Sequence, residues 1–436
     1  MHADIFNRRR RGLMQLMGEG IAIIPTNEEQ HRNGDVRFRF RPDSDFYYLT
    51  QFPEPEAVAV LIPNREEGEF ILFCRKNDPT REQWEGKRAG LDKAIEQYGA
   101  DQAYEIEELE TILPKLLENQ SQVFTCTGRH PDFDQQLFAW VNEIKAKVRT
   151  GVHAPMGFQD LSYILHEQRL YKKSEELRVM RRAAKLSAAG HRRAMQVCHP
   201  GMYEYEIQAA LEATFMQGGS AHPAYPSIVA AGENACILHY TENQAICQDG
   251  DLLLIDAGAE LECYASDITR TFPVNGKFSG EQRALYDLVL AAQAAAIEEV
   301  RPERGWRAYH QAAVKVLAQG MLDLGLLKGS LEETLEKETY KQFYMHGTGH
   351  WLGMDVHDVG EYKVEDAWRV LEPGMVLTVE PGIYVTPSDQ VDERWHHIGI
   401  RIEDDVVVGK NAPEILSRDI PVDADEIEAI MRNSHP

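Results

Sequence analysis

The sequence predicts an α/β domain over residues 1–170, followed by an α+β domain over 171–436 that repeats its own architecture by a pseudo-two-fold. Three observations carry this expectation. The 436 residues exceed what one hydrophobic core ordinarily serves. In the first domain, short apolar runs bounded by turn residues alternate with helical patterns. Beyond residue 171 the pattern reads helix, helix, strand, strand, and then the same order again.

In chain order, Ile5, Phe6, Leu13, Met14 and Met17 recur at helical spacing, with Arg8 to Arg11 expected on the solvated face of that helix. GIAIIP (20–25), AVAVLIP (57–63), FILFCR (70–75) and QVFTCTG (122–128) read as strands of a largely buried sheet. LDKAIEQYG and LETILPKLLEN read as helices between them, which makes the class α/β. Gly18 and Gly20 in MGEGIA do not extend to GxGxxG, so no nucleotide loop is expected. RFRFRPDSDFYYLTQF (37–52) is dense in arginine and aromatic residues and is expected as a strand and turn against the sheet. REQWEGKRAG (81–90) presents Trp84 in a polar loop, and an exposed Trp suggests an interface.

The second domain opens on YKKSEELRVM, where Ser174 is the expected N-cap and Glu175 and Glu176 favour the positive end of a helix. That helix should run to Val197 with Leu177, Met180, Ala184 and Ala188 on one face, stopped by Pro200 and Gly201. YEIQAALEATFMQGG is the next helix. HPAYPSIVAAGENACILHYTEN (222–243) reads as strand and loop with His239 near its end, and DLLLIDAGAELECYASDITRTFPV (251–274) as two strands joined by a turn. Helices are expected around 280–300 and 306–325. EPGMVLTVEPGIYV (372–385) and HHIGIRIEDDVVVG (396–409) close the sheet.

Composition excludes some partners. A net charge of −24 argues against nucleic acid and anionic membranes. No apolar run is long enough to span a bilayer, and the N-terminus lacks the apolar core and cleavage site of a secretory leader. Six cysteines without a CxxC pair read as reduced thiols, so a cytoplasmic protein is expected.

The chemistry concentrates in HGTGHWLGMDVHD (346–358), which holds His346, His350 and His357 among three glycines. Solvated loop histidines are the competing reading, but acidic residues stand in other segments where a metal site needs them. Asp256 ends LLLID, Asp267 lies in the SDITRTF strand, Glu380 ends VLTVE and Glu403 sits in GIRIED. Alternation on strands lets Arg401 and Glu403 share one face, opposite Ile400 and Ile402, and puts Asp267, Thr269 and Thr271 opposite Ile268 and Phe272. Four clustered carboxylates repel one another, and some would take up protons. One divalent ion leaves two negative charges, whereas two neutralise all four, which is the pattern of sites with metals roughly 3.5–4 Å apart. One imidazole with oxygen ligation suits Mn(2+), Co(2+) or Zn(2+).

At these residues the sequence resembles the creatinase/methionine aminopeptidase superfamily, the "pita-bread" metallopeptidases. HGTGHWLGMDVHD is similar to its proline-peptidase signature, and TVEPGIY and GIRIEDDV to its two glutamate segments. The two-domain length and RPDSDFYYLT together resemble the aminopeptidase P, or Xaa-Pro aminopeptidase, family over essentially the whole chain. The resemblance implies a creatinase-like N-terminal domain before a pita-bread catalytic domain. It implies that Asp256 and Asp267 bind one metal ion, that His350 and Glu380 bind the other, and that Glu403 bridges both. It further implies Glu380 as general base, His239 and His357 at the tetrahedral intermediate, and His346, Tyr384 and Arg401 at the substrate. Two divalent ions, Mn(2+) first, are implied as cofactors. The implied reaction is hydrolysis of an N-terminal Xaa-Pro bond through a metal-bridging hydroxide, in a homotetramer or dimer in which Trp84 reaches a neighbouring subunit's site. Prolidase, restricted to Xaa-Pro dipeptides, shares every ligand and stays open as the alternative. The large N-terminal domain argues against methionine aminopeptidase, and the intact ligand set argues against a peptide-binding module without catalysis.

Overall fold

The computed structural model describes residues 3–434 of the chain, which separate into two compact units meeting at Gln168 and Arg169.

The N-terminal unit begins with helix α1 (Ala3–Met17), whose Ile5, Phe6, Leu13, Met14 and Met17 are buried. Its arginine cluster corrects the expected solvated face, because Arg9 and Arg10 are buried too. Each guanidinium donates to a carbonyl in the last turn of α2 (Ser44–Thr50), Arg9 to Tyr48 O at 3.0 Å and Arg10 to Leu49 O at 2.9 Å. These are carbonyls that a helix C-terminus leaves without intrahelical partners. Arg9 also lies over the Tyr48 ring and Arg10 over the Phe70 ring, so apolar stem and charged head are both satisfied.

Six strands form the sheet of this unit: β1 (Ile21–Pro25), β2 (Val58–Leu61), β3 (Phe70–Cys74), β4 (Gln102–Glu105), β5 (Gln122–Thr125) and β6 (Gly157–Asp160). The order is β4-β3-β2-β1-β5-β6, with β2 antiparallel to both β1 and β3, and the pairings β3–β4, β1–β5 and β5–β6 parallel. Ile21, Ile23, Val60, Ile71 and Phe73 pack against Leu113, Leu137 and Trp140 from the helices. The edge strands β4 and β6 lack the apolar runs that marked the others, being only half-buried or exposed. Residues 44–50, expected as strand and turn, are helical because Asp43 caps them, accepting from Phe46 N at 3.0 Å. Trp84 lies on a short helix, α3 (Pro79–Glu85), rather than in a loop, and is 84% exposed.

The C-terminal unit opens with α8 (Ser174–Val197), reached after α4 (Gly90–Glu96), α5 (Leu109–Leu117), α6 (Pro131–Ala146) and α7 (Ser162–Leu170). The N-cap is Lys173 rather than Ser174, its N–H being taken by Glu176 at 3.0 Å. Helix α9 (Glu204–Gln217) packs on α8. Strands β7 (Ile228–Ala231), β8 (Leu252–Asp256) and β9 (Thr269–Pro273) follow as an antiparallel sheet centred on β8, with Asp256 opposite Thr269 and Ile228. A small hairpin, residues 260–265, adds to the simple turn expected between β8 and β9.

The second half repeats the order: α10 (Gly280–Glu299), α11 (Arg307–Asp323), then β10 (Val376–Val379), β11 (Gly382–Val385), β12 (Ile398–Arg401) and β13 (Asp404–Val407). β10 pairs with β13 and β11 with β12, so each long apolar run is broken in its middle. Pro381, with no N–H for the ladder, lies at the first break. At the second, Ile402 N turns to Pro381 O and Glu403 N to Thr269 O. Leu253, Ile255, Phe272, Ile383 and Ile400 face the helices in one core, while Leu254, Ile228 and Tyr384 form a smaller cluster with Tyr240. Asp256 and Leu254 fall on the same side of β8 by the two-residue period of a strand. Among the described residues no helix is long and apolar enough to cross a membrane.

Candidate metal centre

All four predicted carboxylates stand where a strand ends or breaks. Asp256 closes β8, Asp267 precedes β9 rather than lying within it, Glu380 follows β10, and Glu403 separates β12 from β13. At such points the backbone leaves the ladder and a side chain can turn toward the sheet's centre line. The histidine segment runs beside β10, bonded through Leu352 N to Val376 O, Thr378 N to His350 O and Glu380 N to Thr348 O. Gly349 permits this approach, since a Cβ there would lie 1.9 Å from Thr378 O. Gly353 serves similarly, a Cβ meeting Asp358 Oδ2 at 2.0 Å. Asp358 anchors the far end of the segment, accepting from Lys172 Nζ at 2.8 Å and Arg169 Nη2 at 2.7 Å.

These elements enclose a cavity of about 700 Å³ lined by Asp256, Asp267, His350, Glu380 and Glu403, together with His239, His346, His357 and Arg401. Ligand atoms of Asp267, His350 and Glu403 lie within 4.8 Å of one another. His350 Nε2 is 3.4 Å from Asp267 Oδ2 and 3.6 Å from Glu380 Oε1. Its Nδ1 is 3.0 Å from Trp351 O, which assigns the proton to Nδ1 and turns Nε2 toward the carboxylates. Thr378 donates to Glu380 Oε1 at 3.2 Å, Thr269 to Glu403 Oε2 at 2.6 Å, and buried Asp405 holds the Asp267 N–H at 3.1 Å.

Arg401 donates from Nη2 to Asp256 Oδ2 at 2.6 Å, from Nε to Thr269 Oγ1 at 3.1 Å, and from Nη1 to the Tyr384 hydroxyl at 3.0 Å. Tyr384 in turn lies 2.9 Å from His346 Nε2, and His346 Nδ1 is 2.7 Å from Gly347 O. Burial and then Arg401 push His346 down to about 3, so it is neutral and accepts at Nε2. The ring of His357 sits 4.3 Å from that of His350, and burial followed by His350 lowers its pKa. Trp84 belongs to the N-terminal unit and is not among the side chains this cavity gathers.

The donor set fits divalent cations. Burial pushes Glu380 up to about 7, and burial with like-charged neighbours raises Asp256 and pushes Glu403 well above the usual carboxylate range. Burial opposes a proton on His350, yet Asp267 and Glu380 outweigh it and raise the imidazole to about 9. Asp267 is held below its ordinary value because His350 and Tyr225 outweigh its burial. Protons are thus drawn to the point where four carboxylates meet one guanidinium and one imidazole, which is where cations would be held.

Sequence reasoning missed Tyr225, whose hydroxyl reaches both Asp256 and Asp267, and Tyr362, which lines the cavity and accepts from Trp351 N at 3.2 Å. The only local signal for Tyr225 is its place between Pro223 and Pro226, which fixes an irregular backbone.

Comparison with known proteins gives one answer for both units. Residues 178–410 match the model of metallopeptidase family M24, and residues 6–124 match the aminopeptidase P N-terminal domain. The chain is 42% identical over 428 residues to Xaa-Pro aminopeptidase of Escherichia coli K12, covering 98% of this chain and 97% of that protein. A solved Pseudomonas aeruginosa aminopeptidase superposes with a TM-score of 0.99 at 54% identity, covering 100% of this chain and 99% of that one. Aminopeptidase P from E. coli with the inhibitor Pro-Leu superposes with a TM-score of 0.97 at 42% identity, over 100% and 99% of the two chains.

Proposed function

The chain belongs to metallopeptidase family M24 and, within it, to the Xaa-Pro aminopeptidases, a hydrolase with an aminopeptidase P N-terminal domain before a pita-bread catalytic domain; from that premise we propose that it removes the first residue from peptides with proline at position two, using two divalent cations. The observation that carries the proposal is the convergence of four carboxylates and His350 from separate elements on one cavity.

We assign Asp256 and Asp267 to one cation, His350 and Glu380 to the other, and Glu403 to both. Bound there, the cations would supply a water of lowered pKa and polarise the scissile carbonyl. Mn(2+) is the first assignment for one imidazole among carboxylates, ahead of Co(2+) and Zn(2+). Glu380, held through Oε1 by Thr378, receives the proton of the attacking water and returns it to the prolyl nitrogen as the C–N bond breaks. His239 and His357 line the same cavity and stabilise the oxygen that gains charge at the carbonyl carbon. His346, kept neutral and backed by Tyr384, Arg401 and Asp256, orients the substrate. Ile228, Leu238 and Val356 offer an apolar wall on which the pyrrolidine ring of a tertiary amide gains binding in the transition state. The inhibitor Pro-Leu in the E. coli relative's structure supports a prolyl-binding site in the family.

Six cysteines that form no disulfide among the described residues accord with the cytoplasmic setting we assign. We also assign a homo-oligomer, tetramer or dimer, with Trp84 of one subunit at the site of another, on the strength of its exposure.

Elemental analysis at saturating Mn(2+), with turnover of Xaa-Pro-Xaa, Xaa-Pro and Xaa-Ala peptides followed by mass spectrometry, tests the proposal. Two ions per chain and release of the first residue from the tripeptide are expected. A single ion would overturn the dinuclear centre, and cleavage of the dipeptide alone would make the enzyme a prolidase.

A further inference from the structure

Glu204 is the first residue of α9 and is fully buried. Its carboxylate is met by four donors, all from residues 231–245. Oε1 accepts from Ala231 N at 2.8 Å and from Asn234 Nδ2 at 3.1 Å. Oε2 accepts from the Tyr240 hydroxyl at 2.8 Å and from Ala245 N at 2.8 Å. Its own N–H closes the ring on Ala245 O at 2.9 Å. One residue thus fastens both ends and the middle of a segment in which Ala235 and Tyr240 pack in the small cluster while Ile237, His239, Thr241 and Glu242 are exposed. Tyr240 is buried while the residues on either side face outward, and Leu238, His239 and Thr241 line the catalytic cavity. The Tyr240 ring in that cluster and its bond to Glu204 together set which residues turn in and which reach the cavity.

We infer that Glu204 is a positioning residue for the reaction, holding His239 over the scissile carbonyl through Tyr240; this rests on the role given to His239 above. A carboxylate suits the task because its two oxygens present four acceptor directions at one buried point, which no neutral side chain of that size offers. Glutamine keeps the volume but replaces two of those acceptor directions with donors, aimed at Tyr240 and Ala245 or at Ala231 and Asn234. Tyr240→Phe removes a single O–H and leaves the packing intact.

The test compares E204Q, Y240F, H239A and the double variant Y240F/H239A in the metal-loaded protein on an Xaa-Pro-Xaa tripeptide, with metal content and amide exchange over 237–244 measured alongside. H239A should lower kcat/KM roughly 10²–10³-fold, as loss of one transition-state donor does. E204Q and Y240F should each lower kcat roughly 10- to 10²-fold, as a misplaced group does, at unchanged metal content and with faster exchange over 237–244. Because the loss acts through His239, adding Y240F to H239A should cost no more than about twofold further. Wild-type kcat in Y240F, or losses that multiply in the double variant, would overturn the inference and leave Glu204 a purely structural residue. Wild-type turnover in H239A would instead overturn the role of His239, and the exchange data on Y240F, which do not depend on turnover, separate the two failures.

Discussion

Gly349→Ala adds one methyl group where the histidine segment closely approaches the backbone of β10. The new Cβ would lie 1.9 Å from Thr378 O, 2.8 Å from the Thr378 carbonyl carbon and 2.9 Å from Thr378 Oγ1. No rotamer relieves this, because the first two atoms are backbone. The histidine segment and β10 must separate by about 1.5 Å or more to reach van der Waals distance. Three hydrogen bonds span that gap, at 3.0 Å from Thr378 N to His350 O, 2.8 Å from Glu380 N to Thr348 O and 3.1 Å from His350 N to Thr378 Oγ1. At about 1 kcal/mol net for each bond, their loss costs about 3 kcal/mol. The same displacement carries His350 away from Glu380, and misplacement by about 1 Å costs roughly 10²-fold in rate. Urea unfolding, kcat/KM on an Xaa-Pro-Xaa tripeptide and metal content per chain measure the three consequences. Gly347→Ala is the stability control, since a Cβ there meets nothing nearer than 4.0 Å. Gly349→Ala that unfolds within about 0.5 kcal/mol of wild type, a difference ordinary for a surface change, would refute the reasoning.

Other expectations are separately checkable. His357→Ala should lose roughly 10²–10³-fold in turnover while keeping its metal, whereas His350→Ala should lose metal, read by elemental analysis beside kinetics. His191 is fully buried, 2.9 Å from Ala257 O through Nε2, and burial pushes it down to about 4. A depressed imidazole leaves the unfolded chain binding more protons, so stability is full above about pH 6.5 and falls by about 3 kcal/mol as pH drops toward 4. Urea titrations of metal-stripped protein at pH 7 and 4.5 should show that loss in wild type and a smaller one in His191→Gln. Trp84→Ala should lower the mass seen by light scattering or alter tripeptide kinetics, and a monomeric wild type would remove the oligomer from the proposal.

By itself the sequence determined most of the element types and pointed to the carboxylates and histidines that line the cavity. Apolar runs such as LLLID and VLTVE declare strands because a short continuous apolar run bounded by turn residues is the pattern of a strand buried on both faces, and the carboxylates stand where those runs stop. HGTGHWLGMDVHD is legible for the same reason, since its histidines and glycines serve no packing pattern. Tertiary structure decided how buried polar groups are satisfied. Arg9 and Arg10 look solvated in a run of four arginines, yet their carbonyl partners lie 39 residues away. Glu204 reads as an ordinary first-turn acid, and its four donors lie 27 to 41 residues further along the chain. Asp358, Asp405 and Tyr225 are likewise defined only by what the fold brings against them. Apolar burial is a property of a residue and its near neighbours in sequence, so periodicity reveals it. A buried charge or hydroxyl is stable only with a partner at hydrogen-bond distance, and the partner's address in the chain is set by topology.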